Sequence, residues 1–202
     1  MLELDPTLSI MLIALAFLFF FTTGTVASRR RVAHLFKAVM EAVSAAGGKV
    51  VDGRRGTTTA VLSCRHMGEL AEFSVVIGVQ SWSNPLSYLV SKLMGRSDLA
   101  ILRARTRKTP TASLTFVKKG TQAERYASRW GNKITEVDDY LIVSDEEEVP
   151  QEKVSTLIER IKGLQNVLLL SVGKRLPNLQ VYFTPGDADG IKELLCVLEK
   201  LI

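Results

Sequence analysis

The sequence predicts an α+β protein: an N-terminal transmembrane helix followed by a cytoplasmic domain with a mainly antiparallel sheet and packed helices. Three observations carry this prediction. Residues 8–27 form an uncharged apolar run of 20 residues. Strand-like runs joined by short glycine-containing turns follow it, and such connections suit antiparallel neighbours. Helical runs are interspersed among the strands, without the strict alternation that a doubly wound parallel sheet requires.

At 1.5 Å per residue the apolar run makes a helix roughly 30 Å long, matching the hydrocarbon thickness of a bilayer. A cleaved signal peptide needs a basic start and a shorter apolar stretch. Here Glu3 and Asp5 come before the run, and Arg29, Arg30 and Arg31 come after it. That charge order predicts a retained single-pass anchor with its N-terminus outside and everything from Ser28 onward cytoplasmic, the three arginines determining the topology. The host is the cell membrane, or the endoplasmic-reticulum membrane in a eukaryote. Val32, Leu35, Phe36, Val39, Met40 and Val43 then recur at three- and four-residue spacing, so the helix continues to a stop at Gly47-Gly48. Ala38, Ala42, Ala45 and Ala46 favour docking of this stripe on the domain over lying flat on lipid. The chain thus divides into 1–28 (short external N-terminus and anchor), 29–48 (juxtamembrane amphipathic helix) and 49–202 (cytoplasmic α+β domain).

Strands are expected at 49–52, 57–64 and 71–80, separated by Gly53, Gly56 and Gly68. Ser83-Asn84-Pro85 opens a helix, with a capping residue ahead of proline at the first helical position. Its apolar stripe is Leu86, Leu89, Val90, Leu93 and Met94, and Gly95 closes it. Further strands are predicted at 99–108 and 112–119, a short basic helix at 121–130, and strands at 134–138 and 140–144 around Asp138-Asp139. Pro150 begins a helix carrying Val154, Leu157, Ile158 and Ile161. A hairpin at 167–172 and 179–184 turns across Leu176-Pro177-Asn178, and a last helix, 188–202, carries Ile191, Leu194, Leu195, Leu198 and Leu201 on one face.

The net charge of +5 is unevenly spread. Residues 29–66 hold eight basic and two acidic side chains, residues 92–133 eleven and two, and residues 134–152 eight acidic and no basic ones. Arg103, Arg105 and Arg107 alternate with Leu102, Ala104 and Thr106, so on a strand the arginines share one face. With Lys108, Lys118, Lys119, Arg125 and Arg129 they form the candidate polyanion- or ribosome-facing set. Two readings stay open: a solvated face paired with Asp145-Glu146-Glu147-Glu148, or a surface for anionic lipid heads or ribosomal RNA. Tyr126 and Trp130 are the only aromatics near the set, too few to stack single-stranded bases, so sequence-specific nucleic-acid binding is not expected.

Signatures of catalysis are absent: no G-x-S-x-G, Walker A, H-E-x-x-H or C-x-x-C occurs. On a strand Cys64 and His66 would point to the same side, the geometry of a thiol–imidazole pair, but no third orienting residue accompanies them. Cys64 and Cys196 read as small core hydrophobes, and His34 as an interfacial or surface histidine. The stretch from Gly186 to Gly190 resembles part of a calcium loop but lacks its length and terminal glutamate, so a helix N-cap accounts for it better. No enzyme, metal or cofactor is expected.

One segment carries a resemblance. Asn84-Pro85-Leu86-Ser87-Tyr88-Leu89-Val90-Ser91-Lys92-Leu93-Met94-Gly95-Arg96-Ser97-Asp98 leads into the basic strand, and Leu176-Pro177 precedes Val181-Tyr182-Phe183-Thr184-Pro185-Gly186 and a leucine-rich helix. In this order of elements the chain resembles the calumin-like family, the coiled-coil-domain-containing subunit of the PAT complex in the multipass translocon. The resemblance implies a non-enzymatic, membrane-anchored accessory factor for membrane-protein insertion and folding at the Sec translocon and ribosome. Its implied partners are the Sec translocon and other insertion factors, ribosomal RNA and membrane lipid. The sequence departs from that family in lacking a long acidic lumenal region, which removes the calcium expectation, and a charged C-terminal coiled coil. It reads as a short, archaeal-type relative. The alternative is a membrane-tethered scaffold that binds another protein or anionic lipid.

Overall fold

The computed structural model describes residues 5–110, 113–121, 123–124, 133–144, 158–159, 161 and 166–201. Its first element, α1 (Pro6–Ala45), is one uninterrupted helix of 40 residues, long and apolar enough to cross a membrane. The Asp5 carboxylate caps it by accepting the Thr7 N–H at 3.0 Å, and Pro6 follows where no intrahelical N–H bond is needed. In the first half the large apolar side chains, Leu8 through Val26, are exposed. Thr22 and Thr23 donate their hydroxyls back to the Leu18 and Phe19 carbonyls at 2.9 and 2.7 Å, so these polar groups need no water.

In the second half the stripe predicted from spacing is buried: Val32, Leu35, Ala38, Val39, Ala42 and Val43, with Phe36 half-buried and Met40 exposed. The helix ends in a left-handed turn. Gly47 sits at φ +79°, the Gly47 N–H donates to the Ser44 carbonyl, and the Gly48 N–H donates to the Val43 carbonyl at 2.9 Å. This closes the orphan carbonyls of the last turn and points the chain back along the helix.

Among the described residues nine antiparallel strands form a single sheet, in the order β1-β2-β3-β4-β9-β8-β5-β7-β6. They are β1 (Lys49–Arg55), β2 (Thr59–Met67), β3 (Leu70–Gly78), β4 (Leu99–Thr106), β5 (Leu114–Lys118), β6 (Lys133–Val137), β7 (Tyr140–Ser144), β8 (Val167–Val172) and β9 (Leu179–Phe183). The first four make a meander; β9 then joins it to the second half through its pairings with β4 and β8. Two further helices lie whole or nearly so within the described residues: α2 (Pro85–Leu93), between β3 and β4, and α3 (Ala188–Leu201). Asp187 accepts the Gly190 N–H at 2.9 Å, so the glycine-aspartate stretch before α3 serves as its N-cap. Ile158, Glu159 and Ile161 are helical and the two isoleucines are buried; the rest of the helix expected after Pro150 lies outside the described residues.

Alternation sorts the sheet into two faces. Leu62 and Cys64, Val75 and Ile77, Leu102 and Ala104, and Val181 and Phe183 turn to one side, where the second half of α1 packs on β1–β3 and against α3. Each fully buried aliphatic chain there contributes about 1.5–3 kcal/mol relative to exposure. On the other face, among the described residues, a small cluster of Val117, Leu141, Val143 and Leu169 lies over the β8-β5-β7 region, with Ala123 and Tyr182 packed against it. Over β2–β4 that face is open.

Three contacts set the direction of the strands relative to α1. Gly48, one turn past the helix end, lies against Val43 and Met67 at the far end of β2; Gly53 lies against Phe36; and Ser28 accepts the Trp82 N–H, just beyond β3. The strands therefore run along α1, with the β3–α2–β4 connection beside the end of its apolar half and the β2–β3 turn at the opposite pole.

Candidate functional site

Because Leu102, Ala104 and Thr106 turn inward, β4 presents Arg103 and Arg105 on the open face, and Arg107 is exposed just past the strand. Register places Arg103 between Ser74 and Gln180, and Arg105 opposite Glu72. Glu72 is engaged by Arg65 at 3.2 Å. The Arg107 N–H donates to the Glu69 carbonyl at 2.9 Å, and Lys108 makes only a long 3.9 Å approach to the Glu69 carboxylate. Among the described residues no acidic side chain forms an ion pair with Arg103, Arg105 or Arg107. The acidic run at 145–148, the expected bland partner, lies outside the described residues.

Arg105 and Arg107 border a shallow cavity of about 660 Å³ at the pole farthest from the apolar half of α1. Arg65, His66 and Lys174 line it as well. These three were not legible as part of the set, since β2 and the β8–β9 turn reach β4 only through non-local pairing. The available signal was Arg65 itself, two strands from β4 in the meander and of the same parity.

The predicted basic set is not one patch. Following the register, Lys118 lies about 17 Å along the strands from Arg105 and about 14 Å across them. Lys118 shares the parity of Phe116, the helix-covered side, whereas Arg105 faces the open side. Lys119 is held at 2.7 Å by Glu136. Arg125 and Arg129 lie outside the described residues, as does most of the basic helix expected at 121–130.

The thiol–imidazole pair is also corrected. Cys64 is only 2% exposed on the core face, while His66 adopts φ +58°, which breaks the alternation and turns its side chain out. Burial pushes the Cys64 thiol up from 9.0 to about 11, so it stays protonated and poorly nucleophilic. Among the described residues no group of three or more His, Cys, Asp and Glu side chains could hold a metal ion.

A second region of interest is the joint between α1 and the β3–α2–β4 connection. Arg29, Arg30 and Arg31 are exposed; Arg31 reaches Asp98 at 3.1 Å, and Asp98 also accepts the Gln80 N–H at 3.1 Å. Buried Ser28 accepts the Trp82 N–H at 3.1 Å. Gly24 is buried because the Trp82 backbone lies directly on it; a Cβ there would collide with the Trp82 carbonyl. Beside this joint a cleft of about 1190 Å³ opens between the end of α2 and the open face, lined by Met94, Leu99, Thr121, Leu169 and Tyr182 among others.

Compared with known proteins, the chain matches no family model, and no curated protein shows significant similarity to it.

Proposed function

We propose that this chain is a non-enzymatic, membrane-anchored accessory factor for membrane-protein insertion and folding, acting at the Sec translocon and ribosome from the cytoplasmic face. The reading joins the calumin-like resemblance to one structural observation: the apolar helix passes without a break into the domain that carries the exposed arginines of β4. Arg105 lies six residues beyond Leu99, about 20 Å further along the strand from the joint with α1. At that distance a lipid headgroup beside the joint is more than two Debye lengths away at physiological salt. A tall polyanion standing on the membrane, such as ribosomal RNA, suits Arg103, Arg105 and Arg107 better than the lipid surface does.

Co-purification from native membranes tests the proposal, using the full chain with and without Arg103→Glu, Arg105→Glu and Arg107→Glu. The wild-type chain should bring down ribosomes and Sec channel, and the triple variant should lose ribosomes, a loss that lower salt does not restore because the glutamates repel phosphate more strongly when screening is weaker. Absence of both from the wild-type material would dismiss the proposal. Equal recovery with both versions would remove the arginines from the contact.

A further inference from the structure

We infer that α2 is a second membrane contact, lying in the bilayer interface beside the cytoplasmic end of α1. This rests on α1 spanning the bilayer.

The helix is set up locally. Asn84 accepts the Leu86 and Ser87 N–H groups at 3.1 Å each, and Pro85 occupies the first turn. Its apolar residues Leu86, Leu89, Val90 and Leu93 fall at i, i+3, i+4 and i+7, and are 65%, 55%, 49% and 80% exposed. No residue of α2 is buried. A nine-residue helix with a bare apolar stripe has little reason to persist in water, because short helices depend on packing of that stripe.

Position identifies what covers it. The loop leading into α2 lies on Gly24 and is hydrogen-bonded to Ser28, which bracket the end of the uncharged 8–27 run. α2 is therefore level with the edge of the hydrocarbon, not with the body of the domain. Its aromatic and basic residues match that depth: the tilted rings of Trp82 and Tyr88 lie with centroids 5.2 Å apart, and the Lys92 ammonium sits 5.9 Å from the Tyr88 ring centroid. Amphipathic rings and a long cationic chain are the groups that settle at the headgroup boundary. Arg29 and Arg30, exposed on α1 at the same level, add attraction for anionic lipid. A large apolar face continuous with a spanning helix and rimmed by cations fits an interfacial helix lying in the plane of the membrane.

The test uses the full chain, with Cys196→Ser, in vesicles containing phosphatidylcholine and an anionic lipid. Buried Cys64 stays unlabelled. An environment-sensitive fluorophore is attached at Leu89→Cys, Leu93→Cys, Leu15→Cys or Arg105→Cys, one at a time. Quenchers are carried on lipid chains either near the headgroup or near the chain terminus. Labels at Leu89 and Leu93 should lose about half their emission to the shallow quencher and less to the deep one, as for a helix buried a few ångströms below the headgroups. The Leu15 label should respond most to the deep quencher and the Arg105 label to neither. Quenching at Leu15 with none at Leu89 and Leu93 overturns the inference while leaving the anchor in place. No quenching at Leu15 overturns the anchor, and the inference with it.

Discussion

Replacing Gly24 with alanine should loosen the joint between α1 and α2 while leaving the sheet intact. The added methyl meets the Trp82 carbonyl, with the neighbouring Trp82 carbon and Ser83 nitrogen also in its way. These are backbone atoms, so no rotamer change relieves the collision, and the 81–83 segment must move off α1. Moving it breaks the 3.1 Å bond from the Trp82 N–H to Ser28, a loss of about 1 kcal/mol, and leaves Ser28 buried without that partner. The Arg31–Asp98 pair adds little, because the arginine is largely exposed. A local destabilisation of about 1–2 kcal/mol follows, equivalent to a five- to thirty-fold gain in the open population. Hydrogen exchange of the full chain in detergent or nanodiscs reads this directly. The Trp82 amide should exchange faster by that factor, while amides of β2 and β3 keep their protection. Unchanged exchange at Trp82, or equal loss of protection throughout the sheet, would refute the reasoning.

Two further substitutions probe the core. Leu35 is 0% exposed at the centre of the α1 stripe, so Leu35→Ala should cost about 2–5 kcal/mol, read as a lower urea midpoint of the solubilised chain; Met40→Ala, on the exposed side, should shift it far less. Cys64 gives a pH signature. Its folded pKa is raised from 9.0 to about 11, so the unfolded chain gives up the proton first as pH rises. Stability from this group is therefore intact below pH 9.0 and declines toward about pH 11, and Cys64→Ala should flatten that part of the midpoint-against-pH curve.

Local chemistry makes much of this architecture readable in the sequence. The uncharged run, the three- and four-residue spacing of Val32, Leu35, Val39 and Val43, and the glycine pair at 47–48 together specify α1 from its apolar start at Leu8 to its stop; the Asp5 cap came only with the structure. Asn84-Pro85 similarly specifies where α2 begins. Strand ends were less legible: β1 runs on to Arg55 through Gly53, because pairing with β2 continues there. The strand order could not be read at all. Only the register of β9 between β4 and β8 separates Arg105 from Lys118, and this is a non-local fact that charge counting along the chain cannot supply. For the same reason the cavity's Arg65, His66 and Lys174 stayed hidden, and a single positive φ at His66 undid the alternation that paired it with Cys64.

The unbroken passage of α1 into the domain has a mechanical side. From Ser28 to Ala45 the helix extends about 26 Å beyond its apolar half, glued along the sheet as it goes. A spanning helix that tilts by about 20° to fit a thinner bilayer would swing the far pole of the domain sideways by about 9 Å. If α1 spans the bilayer as proposed, then with the helix rigid and the arginines fixed to its far end, bilayer thickness becomes a lateral displacement of Arg105 and Arg107. In the proposed anchored state, α1 would act as a lever as well as a tether, and the local lipid would decide where the charged end points.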